Sequence, residues 1–147
     1  MFVLNFSVFR VEKCKNVNLF EANDLSMMKA AITTKQDLIV LMPKSSSFEL
    51  IRQTPDYLLH FKQSSFDELI AKQKEALEEF SKFAHEDAKI VYIVDTLNKK
   101  ETTGVINDFL NKHPEYVLKE SEQYFPFGEE DGLFYYAILE RKPVEDD

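Results

Sequence analysis

The sequence predicts an α/β fold with a mainly parallel sheet and a C-terminal antiparallel strand pair. Three observations carry this. Two continuous apolar runs, 37–42 (Asp-Leu-Ile-Val-Leu-Met) and 88–94 (Ala-Lys-Ile-Val-Tyr-Ile-Val), read as strands buried on both faces. Segments of helical periodicity alternate with them, as in βαβ units. Two further apolar stretches, 116–118 and 133–139, read as a strand pair near the C-terminus.

In chain order, 2–9 and 17–20 are short apolar strands. A helix follows Asp24, with Leu25, Met28 and Ile32 turned inward. After the strand at 37–42, a long helix is expected to start at Ser65, because Glu68 stands three residues on as in a capping box. Phe66, Leu69, Ile70, Gln73, Leu77, Phe80 and Ala84 follow one helical face. Asp67, Lys72, Lys74, Glu75, Glu78 and Glu79 fall mainly on the other, so the helix is amphipathic and lies on a sheet. After the strand at 88–94, a helix over 101–111 buries Val105, Ile106, Phe109 and Leu110, and His113-Pro114 ends it. Residues 1–142 read as one domain, and 143–147 as a frayed acidic tail.

Composition narrows the function. The chain has 147 residues, with 44% hydrophobic and 13% aromatic, enough for one packed core. Eighteen Lys and Arg face 26 Asp and Glu, for a net charge of −8. Nucleic-acid binders carry a basic footprint, because neutralising phosphates dominates their affinity. RNA binding by this chain alone is therefore not expected; an acidic surface points to a protein partner or a homo-oligomer. Three glycines leave no material for a GxGxxG or a P-loop. One cysteine, Cys14, allows no disulfide within the chain and suits a reducing, cytoplasmic setting. The first residues do not read as a secretory signal, and no run reaches the ~18 apolar residues that span a membrane. His60, His85 and His113 lack ligand spacing and Cys14 has no nearby partner, so no metal site is expected.

Landmarks then fall in a recognisable order. Leu41-Met42-Pro43-Lys44-Ser45-Ser46 is followed by Arg52-Gln53-Thr54-Pro55-Asp56, and then by a helix with Leu69, Gln73 and Leu77. Val91-Tyr92-Ile93-Val94-Asp95-Thr96 comes next, then a helix and turn over 107–116, then Asp131-Gly132-Leu133-Phe134-Tyr135. This set, over about 37–142, resembles the C-terminal half of the RNA 5-methylcytosine methyltransferases of the Sun/Nop2 group. The resemblance implies a partial or rewired Rossmann-like class I methyltransferase fold and an ancestry in S-adenosylmethionine-dependent RNA chemistry.

The departures bear on activity. That family adds a cysteine thiolate to C6 of cytosine, giving C5 the enamine character it needs, and a second cysteine helps release the product. By the resemblance, the nucleophile position is Asp95, the second cysteine position is Lys44 and the base-contacting Asp is Leu41. The resemblance begins at the family's second strand, so the Gly-rich cofactor loop is expected to be missing. Asn5 falls where the ribose-binding acid would stand, and Asp24 is the one cofactor contact expected to survive. A sheet without its central first strand is expected to be rewired or to be closed by a partner.

Lys44 and Asp95 read as strand-end residues, where α/β folds place ligands. Lys44 can hold a phosphate or pair with Asp95; a solvated lysine is the simpler reading. Asp95 can act as a base, but more often such a residue caps a turn. The segment 43–47 reads as a polar loop, since it lacks the glycines of an anion cradle. Tyr124-Phe125-Pro126-Phe127 reads as packing under a loop, with a binding surface as the alternative. The expectation is a non-catalytic, methyltransferase-like interaction or scaffold subunit, with no bound cofactor. The alternative is one part of a split or degenerate cytosine-5 methyltransferase.

Overall fold

The computed structural model describes residues 2–5, 18–21, 25–46, 56–60, 62–125 and 132–142. The chain divides into two compact units, Met1–Lys35 and Gln36–Asp147. In the first, β1 (Phe2–Asn5) pairs in parallel with β2 (Asn18–Glu21), and α1 (Leu25–Ala31) follows. Met28 is buried, as its helical position predicts, and Ile32 lies just past the helix and is half-buried. The remainder of the strand expected at 2–9 lies outside the described residues.

The second unit holds β3 (Gln36–Leu41), α2 (Tyr57–His60), α3 (Gln63–Ser81), β4 (Ala84–Val94), α4 (Thr103–Lys112), β5 (Tyr116–Tyr124) and β6 (Phe134–Arg141). Four of these strands form one mixed sheet in the order β3-β4-β6-β5. β3 and β4 are parallel, while β6 runs antiparallel to both β4 and β5. The C-terminal antiparallel pair is thus β5–β6, as the sequence predicts.

One face of this sheet is the core. Ile39 and Leu41 of β3, Ile90, Tyr92 and Val94 of β4, and Tyr135, Ala137 and Leu139 of β6 point to it. Against them pack Leu77 of α3 and Val105, Ile106 and Phe109 of α4. Complete burial of a side chain such as Leu77 is worth about 1.5–3 kcal/mol relative to exposure. On α3 the buried positions Phe66, Gln73, Leu77 and Ser81 recur every four or seven residues, which holds one stripe toward the sheet.

Four expectations are corrected. The runs at 37–42 and 88–94 were expected to be buried on both faces, but burial in β3 and β4 alternates. Leu38 is 59% exposed, Val40 51% and Met42 71%. The described helices α3 and α4 pack on each other and on one side of the sheet, so the apolar run has one bare row.

The capping box at Ser65 does not form. The helix starts at Gln63 with Lys62 at its N-cap, and no side chain caps it. Ala84 does not continue the inward face of α3; the helix ends at Ser81 and Ala84 opens β4. β5 runs on to Tyr124 past the expected 116–118, through the polar stretch 119–123. A bulge between Leu118 and Glu120 precedes that exposed half, and charge on an edge strand discourages unwanted pairing.

Candidate functional site

The C-terminal ends of the parallel pair β3 and β4 lie side by side, where open α/β sheets place their sites. The loop after β3 carries Pro43, Lys44, Ser45 and Ser46; the turn after β4 carries Asp95 and Thr96. Ser45 Oγ donates a short hydrogen bond to the Asp95 carboxylate, so the two strand ends are joined directly. Lys44, the other candidate partner for Asp95, is exposed and makes no ion pair with it. Its carbonyl accepts from Gln73 Nε2 at 3.0 Å, which ties the loop to α3.

Beneath this junction lies a residue that the sequence did not single out. Glu101 is 0% exposed, one residue before the N-cap of α4. Its Oε1 accepts from Ser46 N at 2.8 Å and from Gln73 Nε2 at 3.0 Å. Its Oε2 accepts from Ser46 Oγ and from Thr96 Oγ1, the latter at 3.2 Å. Its own carbonyl accepts from Tyr92 OH at 2.9 Å. A buried carboxylate is costly unless paired or hydrogen-bonded, and here four donors converge on it. The head of α4 adds a favourable dipole. Burial first, then nearby Glu101 and Tyr135, push the Tyr92 phenol far above its ordinary 10.0, so it remains a donor. Glu101 reads in sequence as an ordinary acidic residue opening a helix; only the convergence of three remote segments shows its role.

Beside the loop opens a cleft of roughly 230 Å³. Lys44, His60 and Lys62 line it, with Ser65 and the apolar Phe66 and Leu69. Separation in sequence hid this grouping, since β3, α2 and the head of α3 each contribute.

Of the remaining candidates, those in the described part of the second unit do not join the site. Leu41 is buried in the core under the sheet. Asp24, the residue assigned to the cofactor, and Cys14 lie outside the described residues, and of Asn5 only its place in β1 is described. His85 is exposed, while His113 bonds Glu78 at 2.7 Å and Glu115 at 3.1 Å. Among the described residues no three His, Cys, Asp or Glu side chains group to hold a metal. No helix among them is long and apolar enough to cross a membrane. The expected packing at Tyr124 and Phe125 is corrected: they are 41% and 45% exposed, and Tyr124 stacks on Phe134 with ring centroids 4.6 Å apart.

The mixed sheet, with helices between its strands and polar loops meeting at its carboxyl edge, is a Rossmann-like methyltransferase fold. The chain belongs to the 16S rRNA methyltransferase RsmB/F family, whose model matches residues 8–139. No curated protein matches the sequence. Three solved structures share the fold. The protein PH0851 has a TM-score of 0.71 and 21% identity over 85% of this chain and 31% of its own. NSun6 from Pyrococcus horikoshii, solved with SFG, has 0.66 and 18% over 86% of this chain and 35% of its own. A methyltransferase homolog protein from Pyrococcus horikoshii has 0.57 and 18%, over 86% and 45%. The chain thus spans between about a third and a half of the length of these structures.

Family membership raises the question of S-adenosylmethionine. That molecule carries a positive sulfonium, and its ribose calls for a hydrogen-bond acceptor. The cleft beside Lys44 presents two lysines and a histidine, a donor set that suits neither the sulfonium nor the ribose.

Proposed function

We propose that this chain is a catalytically inactive, methyltransferase-like protein that serves as an interaction or scaffold subunit. The observation that carries this is the chemistry at the two adjoining strand ends. Where the sequence resemblance places the family's two cysteines, the chain has Lys44 and Asp95. Attack on C6 of cytosine needs a soft thiolate that also leaves readily. A carboxylate is a poor nucleophile toward that carbon, and the Asp95 carboxylate is already bonded to Ser45. An ammonium at Lys44 has no lone pair while protonated. Leu41, aligned with the base-contacting Asp, offers no polar atom.

The bare row Leu38, Val40 and Met42 on the outermost described strand of the sheet supports the interaction half of the reading. Apolar side chains exposed on an edge strand are an association liability unless something covers them. Net charge of −8 favours a protein as that partner over RNA held by this chain alone. The alternative is a split or degenerate cytosine-5 methyltransferase whose missing chemistry comes from another chain.

Methyl transfer from labelled S-adenosylmethionine to unmodified ribosomal and transfer RNA separates the two. The purified chain is expected to give no incorporation. Pull-down from its own cells is expected to recover a stoichiometric protein partner, and the recovered complex is expected to be inactive in cytosine methylation. Transfer by the chain, or by the complex in a manner lost on Asp95→Ala, would overturn the reading in favour of the alternative.

A further inference from the structure

We propose that the cleft between the β3 loop and the head of α3 binds a small phosphate monoester with an apolar body. The proposal does not depend on whether the chain is catalytic. In a chain of net charge −8, this cleft gathers Lys44, His60 and Lys62, and among the described residues no carboxylate lines it. Among the described residues, none of these three side chains has a hydrogen bond or an ion pair. The two lysines, brought together with no ion pair of their own, repel one another, and an anion removes that repulsion.

A second feature points the same way. α3 is 19 residues long, yet its N-cap is Lys62, no side chain caps it and its first turn holds no acidic residue. The first N–H groups of a helix have no partner within it, and their partial positive charge favours anions and disfavours a cation. A lysine at that place is unfavourable by itself and becomes favourable with an anion between it and the helix end. The Ser65 side chain, exposed at the rim, adds a hydroxyl donor. A phosphate monoester carries nearly two negative charges and three acceptor oxygens, which matches this set of donors better than a carboxylate.

The other wall decides the rest of the ligand. Phe66 and Leu69 give the cleft an apolar side, and roughly 230 Å³ holds a phosphate with a modest organic group. A long polyanion is disfavoured, because the net charge of −8 opposes each further phosphate. The site is therefore for a small phosphorylated molecule, not for an RNA strand.

The test titrates the full chain with phenyl phosphate, inorganic phosphate and a single-stranded RNA 12-mer, followed by calorimetry and amide chemical shifts. Saturable binding of phenyl phosphate is expected, at least several-fold tighter than inorganic phosphate, with shifts centred on 44–46 and 62–66. Lys44→Ala and Lys62→Ala are each expected to weaken it about tenfold. Lys72→Ala, about 15 Å further along α3, is expected to leave it unchanged. All three lysines are exposed, and thermal melts of the variants establish that each is folded. No saturable binding, or equal losses with Lys72→Ala, overturns the proposal. RNA binding tighter than phenyl phosphate overturns it in favour of a strand-binding surface.

Discussion

The amide N–H of Ser46 donates to Oε1 of Glu101 at 2.8 Å across 55 residues of sequence, and both residues are buried. This bond joins the loop after β3 to the head of α4. Gln73 adds α3 to the same carboxylate, and Thr96 adds the turn after β4. The four segments around the candidate site therefore meet on one acidic side chain. In that arrangement Glu101 is a keystone of the loops, well placed to fix their backbone whatever the site does.

Removing the carboxylate strands all of its donors. Glu101→Ala is expected to destabilise the protein by about 3 kcal/mol or more, since buried donors lose their acceptor. Glu101→Gln is expected to cost less. The hydroxyls of Ser46 and Thr96 can rotate to accept from the new amide, while the amide oxygen keeps the Ser46 and Gln73 N–H bonds. Thermal or urea unfolding checks the order wild type, Gln, Ala. An alanine variant as stable as wild type would remove Glu101 from its structural role.

Gly104 stands in the first turn of α4, where alanine would normally be the better helix former. Its N–H bonds the Lys99 carbonyl at 2.8 Å, and a Cβ there would come within 2.9 Å of that same oxygen. The obstruction is backbone, which cannot swing aside as a flexible side chain does. Gly104→Ala is therefore expected to destabilise by about 1–3 kcal/mol, overriding the propensity gain. A rise in melting temperature would show that the 99–102 turn relaxes freely.

How much of this was legible follows periodicity. α4 was readable because Val105, Ile106 and Phe109 repeat at helical spacing and all three are buried. β3 was readable as a strand, but a uniformly apolar run cannot say which face lacks a helix. That depends on where α3 and α4 pack, a tertiary fact. The polar half of β5 fell outside the expected strand because its pairing comes from one neighbour, β6, and its side chains need no burial. The start of α3 was misplaced by a Ser-x-x-Glu pattern that occurs one turn inside the helix. At the site, Lys44 and Asp95 were visible as strand-end residues, but the partner of Asp95 was Ser45, a neighbour with no distinguishing pattern. Glu101 and the Lys44, His60, Lys62 grouping exist only once distant segments meet.

The bare row on the sheet gives a prediction about association. Val40 lies beside Val91, and Val91 beside Ile138, so an apolar band crosses the open face. A single Val40→Lys substitution adds charge to an exposed position, so its effect on folding stability is expected to stay within about 0.5 kcal/mol. It is expected to reduce concentration-dependent association in sedimentation, or to weaken recovery of a protein partner. An unchanged sedimentation profile together with unchanged partner recovery would place association elsewhere on the chain.

His113 gives the pH dependence of stability. It sits at the C-cap of α4, where a cation favours the helix dipole, and its ring stacks on Phe109 at 4.5 Å. Burial lowers its pKa, but the hydrogen bonds to Glu78 and Glu115 outweigh burial and hold it above the ordinary 6.5. A folded value above the unfolded one means that the fold prefers the protonated ring. Its contribution is complete below the ordinary value and is lost as pH rises through the raised folded value. The pair is partly exposed, so the contribution is expected to be under about 1 kcal/mol. His113→Gln keeps a side chain of similar reach without the charge. The stability gap between wild type and this variant is expected to be larger near pH ~5.5 than near pH ~8.5. Unfolding curves at both values check it. An identical gap at the two pH values would mean that His113 acts by packing alone, through its stack on Phe109.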